Sequence, residues 1–196
     1  MEKDVTIFRV FIASPSDVPD ERAAIRETVQ RINGIYSRTT DLRIELLAWE
    51  DTSPGAGRPQ SLINPYVDKA DLFVGCLWKT LGSPSGNGEL TGFEEEFYRA
   101  KSRNTQEGAP EIWLFFKKIP SEDLQNPGVQ KVLVSRAEQE KAKELKYKEF
   151  KDANEWTKLI GDLLHEHMLR LTTKLSAEEK GVRGVTFATR PLCSST

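Results

Sequence analysis

What this chain has little of narrows its chemistry first. It holds two cysteines and two histidines in 196 residues. Cys76 lies inside an apolar run and Cys193 in a polar stretch near the end of the sequence, so neither a disulfide framework nor a thiolate metal site is expected. His165 and His167 stand two apart on an expected helix and point to different faces, which excludes an i, i+4 metal pair. A Ser-His-Asp arrangement, a Walker loop and zinc-site spacing are all absent. No apolar run approaches the roughly 20 residues that span a bilayer, and the N-terminus lacks a signal-peptide pattern, which makes the cytoplasm the expected compartment. A net charge of -2 gives no global field to attract nucleic acid. Nucleic-acid, membrane, metal and cofactor dependence are therefore not expected.

What is present is ordinary globular material, 38% hydrophobic and 30% charged, enough for one domain with a real core. Val5 to Ala13 (VTIFRVFIA) reads as a buried strand that ends in the turn Ser14-Pro15-Ser16. Pro19-Asp20-Glu21 then opens a helix carrying Ala24, Ile25, Thr28, Val29 and Ile32 on one face. Leu42 to Trp49 is a second strand, Glu50 to Pro59 a connection, and Gln60 to Ala70 a helix that Pro65 is expected to kink or split. Leu72 to Leu77 is a third, fully apolar strand, followed by the Gly-rich loop Thr80 to Thr91. A helix from Gly92 to about Arg103, a fourth strand Ile112 to Phe116, a charged helix from Val129 to about Glu144, a short strand Tyr147 to Phe150 and a long helix from Asn154 to about Leu175 complete the domain. Residues 176–196 read as a tail or linker. Repeated β-α units with apolar strands imply a mostly parallel five-stranded sheet between two helical layers, a flavodoxin-like α/β sandwich in the order 2-1-3-4-5. In that order the segments after Ala13 and after Leu77 flank one crevice.

The helix that opens beside this crevice begins Gly92-Phe93-Glu94-Glu95-Glu96-Phe97. The macrodipole accounts for one or two acids there, and the third calls for another reason. Phe97 and Ala100 mark the packing face, which leaves Glu96 at the mouth of the preceding strand. Glu95 lies about 100° away around the helix, so residue spacing alone leaves both carboxylates as candidates for the crevice.

Arg9-Val10-Phe11-Ile12-Ala13-Ser14-Pro15-Ser16-Asp17-Val18, Glu21-Arg22, Ala70-Asp71-Leu72-Phe73-Val74-Gly75 and Gly92-Phe93-Glu94-Glu95-Glu96-Phe97 together resemble a TIR-like family of N-terminal domains of unknown function found ahead of NACHT and related bacterial signalling ATPases. More distantly they are similar to nucleoside 2-deoxyribosyltransferases and TIR-domain NAD hydrolases. The likeness is close over residues 5–120 and looser beyond. It implies Glu96 as the catalytic glutamate, NAD or a related nucleotide as substrate, and assembly into homo-oligomers or with an adjoining signalling ATPase, in a setting such as antiphage defence. Phe93 stands where the transferases usually carry a small residue, a departure that bears on substrate class.

Several other residues stand near the crevice on this reading. Ser14 and Ser16 can donate to a ribose or phosphate, or simply shape the turn. Trp78 can stack on a base or pack locally. Asp71 sits at the far end of its strand, where structural use is the better account, and Glu50 and Asp51 can bind a ribose diol or stay solvated. Arg99 can pair with Glu95 or Glu96. The expected activity is N-glycoside hydrolysis. The alternatives are a catalytically silent signalling module that self-associates and a deoxyribosyltransferase-like enzyme.

Overall fold

The computed structural model describes residues 5–48, 58–86, 88–142 and 147–179. The chain alternates strand and helix: β1 (Thr6–Ala13), α1 (Pro19–Tyr36), β2 (Leu42–Leu47), α2 (Pro59–Lys69), β3 (Leu72–Leu77), α3 (Gly92–Glu107), β4 (Glu111–Lys117), α4 (Pro127–Ala142), β5 (Tyr147–Phe150) and α5 (Ala153–Glu179). All strand pairings are parallel and the order is β2-β1-β3-β4-β5. This is the three-layer, flavodoxin-like sandwich expected from the apolar runs.

Strand alternation sorts the core into two layers. On β1, Phe8, Val10 and Ile12 face one way, where they meet Ile25, Val29 and Ile32 of α1 and Ile160 and Leu164 of α5. Phe11 and Ala13 face the other way, toward Ile63 and Val67 of α2 and Phe93, Phe97 and Ala100 of α3. Helices α1, α2, α3 and α5 show an apolar stripe at spacings of three or four, the reason these segments fold as helices against a sheet. Trp156 at the start of α5 is fully buried and donates its indole N–H to the Glu21 carbonyl, locking α5 onto the first turn of α1.

Three helices depart from the sequence expectation, among them α3, which runs on past Arg103 to Glu107. Pro65 does not split α2, which runs as one element from Pro59 to Lys69. In so short a helix the proline removes one internal donor, and packing of Ile63 and Val67 against the sheet outweighs that loss. The last helix continues past Leu175 to Glu179, with Leu171 and Leu175 still packed on the core. Trp49, Glu50 and Asp51, and the tail from residue 180 onward, lie outside the described residues. Among the described residues no helix is long and apolar enough to cross a membrane.

Candidate functional site

β1 and β3 are neighbours in the sheet, yet the chain leaves β1 for a helix on one face and β3 for a helix on the other. The loops therefore part above the C-terminal ends of these strands and open a cleft of about 280 Å³. One wall is the β1–α1 turn with Ser14 and Ser16, and another is the loop Leu81–Ser85. That loop is a small hairpin. Pro84 bridges Thr91, the Ser85 amide donates to the Leu90 carbonyl at 2.8 Å, and the Gly92 amide donates to the Ser83 carbonyl at 3.0 Å. Its tight course uses Gly82 and Gly86 at φ of +92° and +79°, a backbone region that favours glycine.

The three consecutive glutamates of α3 take three separate positions. Thr91 is the N-cap, and its hydroxyl and backbone amide engage Glu94 in a reciprocal capping box. Glu94 thus has a structural task. Glu95 accepts from Arg58 Nη1 at 2.6 Å and from Asn64 Nδ2 at 2.9 Å. The Arg58 hydrogen bond holds the Glu95 carboxyl down at about 2, with burial opposing and Asn64 and Ser85 assisting. Arg58 also donates to the Ser85 carbonyl at 3.3 Å, so Glu95 anchors the cleft hairpin through one guanidinium.

Glu96 is the acid that lines the cleft, only 7% exposed. Its Oε1 accepts from Gln60 Nε2 at 2.9 Å, and the same nitrogen donates to the Gly92 carbonyl at 2.9 Å. Burial pushes the Glu96 carboxyl up to about 7; the Gln60 donor pulls it back and the neighbouring Glu95 charge adds to the rise. The apolar wall responsible includes Phe93, whose ring stacks on Phe97 with centroids 6.0 Å apart. Two adjacent carboxyls are thereby driven to opposite ends of the carboxylate range, an arrangement that fits one for anchoring and the other for chemistry.

The structure gathers Ser14, Ser16 and Glu96 at the cleft, with Glu95 behind it. It does not bring Asp71 or Trp78 there. Asp71 Oδ2 accepts the Arg9 backbone N–H at 2.7 Å at the opposite end of the sheet. Trp78 donates its indole N–H to the Lys118 carbonyl, and its ring lies beneath the ammonium groups of Lys79 and Lys117, 4.0 and 4.5 Å from the centroid. Arg99 pairs with neither Glu95 nor Glu96; it makes a two-pronged bond to Asp68, both contacts at 2.6 Å. His165 meets the Tyr36 hydroxyl and His167 stacks on Phe8, and neither lines the cleft. Among the described residues no group of three or more His, Cys, Asp or Glu side chains could hold a metal.

Sequence reasoning missed Arg58, Gln60 and the cleft role of Arg22. A signal for Gln60 was present: it falls at helical spacing with Ile63 and Val67, a polar residue on the apolar face of α2, and it is 4% exposed. Comparison with curated proteins finds no match to this chain. Residues 9–165 match the family described as a domain of unknown function, DUF4062, and the chain belongs to that family.

Proposed function

We propose that the cleft is the active site of an N-glycosidase that hydrolyses NAD or a related nucleotide, with Glu96 as its essential carboxylate. The observation that carries this reading is a buried glutamate, held by Gln60, to which no compensating cation is bonded among the described residues. Such a site disfavours its own anion when empty and gains when a cation arrives beside it. Glycoside cleavage supplies that cation. The C1′–N bond breaks, its electron pair goes to the ring nitrogen of nicotinamide, and the base leaves neutral, so no strong general acid is needed. The ribosyl oxocarbenium then faces the Glu96 carboxylate until water adds at C1′ and gives up a proton. Gln60 orients the carboxylate, and the Phe93 wall keeps the medium around it poor in water.

The resemblance to TIR-like domains ahead of signalling ATPases supports a bacterial signalling or defence setting in the cytoplasm. It also supports activation through self-association or through an adjoining ATPase domain. The test is base release by purified protein, assayed from dilute to concentrated solution on NAD, on nucleotides, and on a deoxynucleoside with a second free base as acceptor. Release of nicotinamide that is lost in Glu96→Ala and kept in part in Glu95→Ala supports the reading. Base exchange without hydrolysis would point to the transferase, and no turnover at any concentration or with an added partner would point to a silent module.

A further inference from the structure

The cleft straddles the end of the sheet. Arg22 enters it from α1, which packs on one face, and Glu96 enters from α3, which packs on the other. Among the described residues that line the cleft, Arg22 is the cation and Glu96 the carboxylate. A ligand lying across the ends of β1 and β3 meets both.

Ser14 and Ser16 line the same cleft. The Ser14 hydroxyl oxygen is buried and has no hydrogen-bond partner within the described protein, so a ligand in the cleft can satisfy it. The acids in the first turn of α1 do not dominate this wall. Glu21 is 1% exposed and its carboxylate lies 2.8 Å from Lys117 Nζ, and Asp17 Oδ2 accepts the Lys79 backbone N–H at 2.8 Å. Neither Asp17, Asp20 nor Glu21 lines the cleft.

A guanidinium recognises phosphate by a planar fork of donors, and a serine hydroxyl adds a third donor beside it. We propose that Arg22, with Ser14 and Ser16, forms an anion subsite that takes the phosphate of a ribosyl substrate whose glycosidic carbon lies at Glu96, so that the cleft selects nucleotides over nucleosides. The proposal rests on the reading of this cleft as a glycosidase site and names the substrate class that site accepts.

Binding of AMP and of adenosine to the full chain carrying Glu96→Gln, measured by calorimetric titration, tests it without any turnover. AMP is expected to bind at least tenfold more tightly than adenosine. Arg22→Gln in the same background is expected to erase that difference, and Arg22→Lys, which keeps the charge and loses the fork, to retain part of it. Should Arg22→Gln fail to fold, Arg22→Lys carries the comparison. Equal affinity for the two ligands, absence of AMP binding, or an AMP preference unchanged by Arg22 substitution would overturn the subsite. If AMP preference stands while no base is released from any N-riboside by the wild-type protein, the subsite survives and the glycosidase reading fails.

Discussion

Gln60 ties the acid of the cleft to its own helix: one amide nitrogen reaches both the Gly92 carbonyl and the Glu96 carboxylate, each at 2.9 Å. Replacing Gln60 by Leu removes the hydrogen bond that lowers the Glu96 carboxyl, so its titration moves above about 7. The loss of a buried hydrogen bond to an acid is also expected to destabilise the fold by about 1–3 kcal/mol. Carbon-13 NMR titration of glutamate carboxyls in the variant and the wild type reads the first effect, and urea unfolding reads the second.

The burial of Glu96 leaves a pH signature in stability. Its carboxyl rises from an ordinary 4.5 to about 7 in the folded protein, so the fold holds this proton more tightly than the unfolded chain does. Its contribution is full below pH about 4.5 and is lost as pH rises through about 7. Glu96→Gln, which keeps the shape and removes the charge, is therefore expected to gain on the wild type as pH rises, by up to about 3 kcal/mol. Unfolding free energies of the two proteins at pH 5 and pH 8 check this. A difference that stays flat between those values contradicts the buried acid.

Arg58 and Glu95 have a different role, which is to keep the hairpin wall closed. The guanidinium spans Glu95 and the Ser85 carbonyl, and its stem passes Gly86 so closely that a Cβ there would lie 3.2 Å from Arg58 Cδ. Arg58→Ala is expected to speed hydrogen exchange at the Ser85 and Gly92 amides by about tenfold or more, while the amides of β3 keep their protection. Exchange measured by mass spectrometry on peptides covering 81–92 and 72–77 separates the two segments.

Most of the fold was legible because parallel strands covered on both faces are continuous apolar runs, and LFVGCL at Leu72–Leu77 can be little else. The assignment of Glu94, Glu95 and Glu96 was only partly legible. Spacing placed them on one helix turn, but deciding among them needs the position of Arg58, Gln60 and Asn64, which arrive from α2 and its N-cap, 31 to 37 residues away in sequence. Trp78 follows the right strand and still misses the cleft, since its indole turns to Lys118 on the neighbouring connection. Helical periodicity cannot report such a turn of the side chain.

Gly75 links the sheet to the cleft wall. It lies on β3 where an added Cβ would sit 2.7 Å from Leu114 Cδ2 and 3.2 Å from the Phe93 ring. Gly75→Ala must push both outward, and an overpacked site of this kind typically costs about 1–3 kcal/mol. The melting temperature is expected to fall by several degrees. Since Phe93 lines the cleft, AMP affinity in the Glu96→Gln background is expected to fall with it.

The most direct test of the central claim is the pH dependence of nicotinamide release from NAD by the wild-type protein, beside Glu96→Gln, at a protein concentration high enough for assembly. The account predicts release by the wild type, with kcat/KM rising as pH climbs through about 7 because the carboxylate is the working form, and loss of at least a hundredfold in Glu96→Gln. Release that persists undiminished in Glu96→Gln would contradict it.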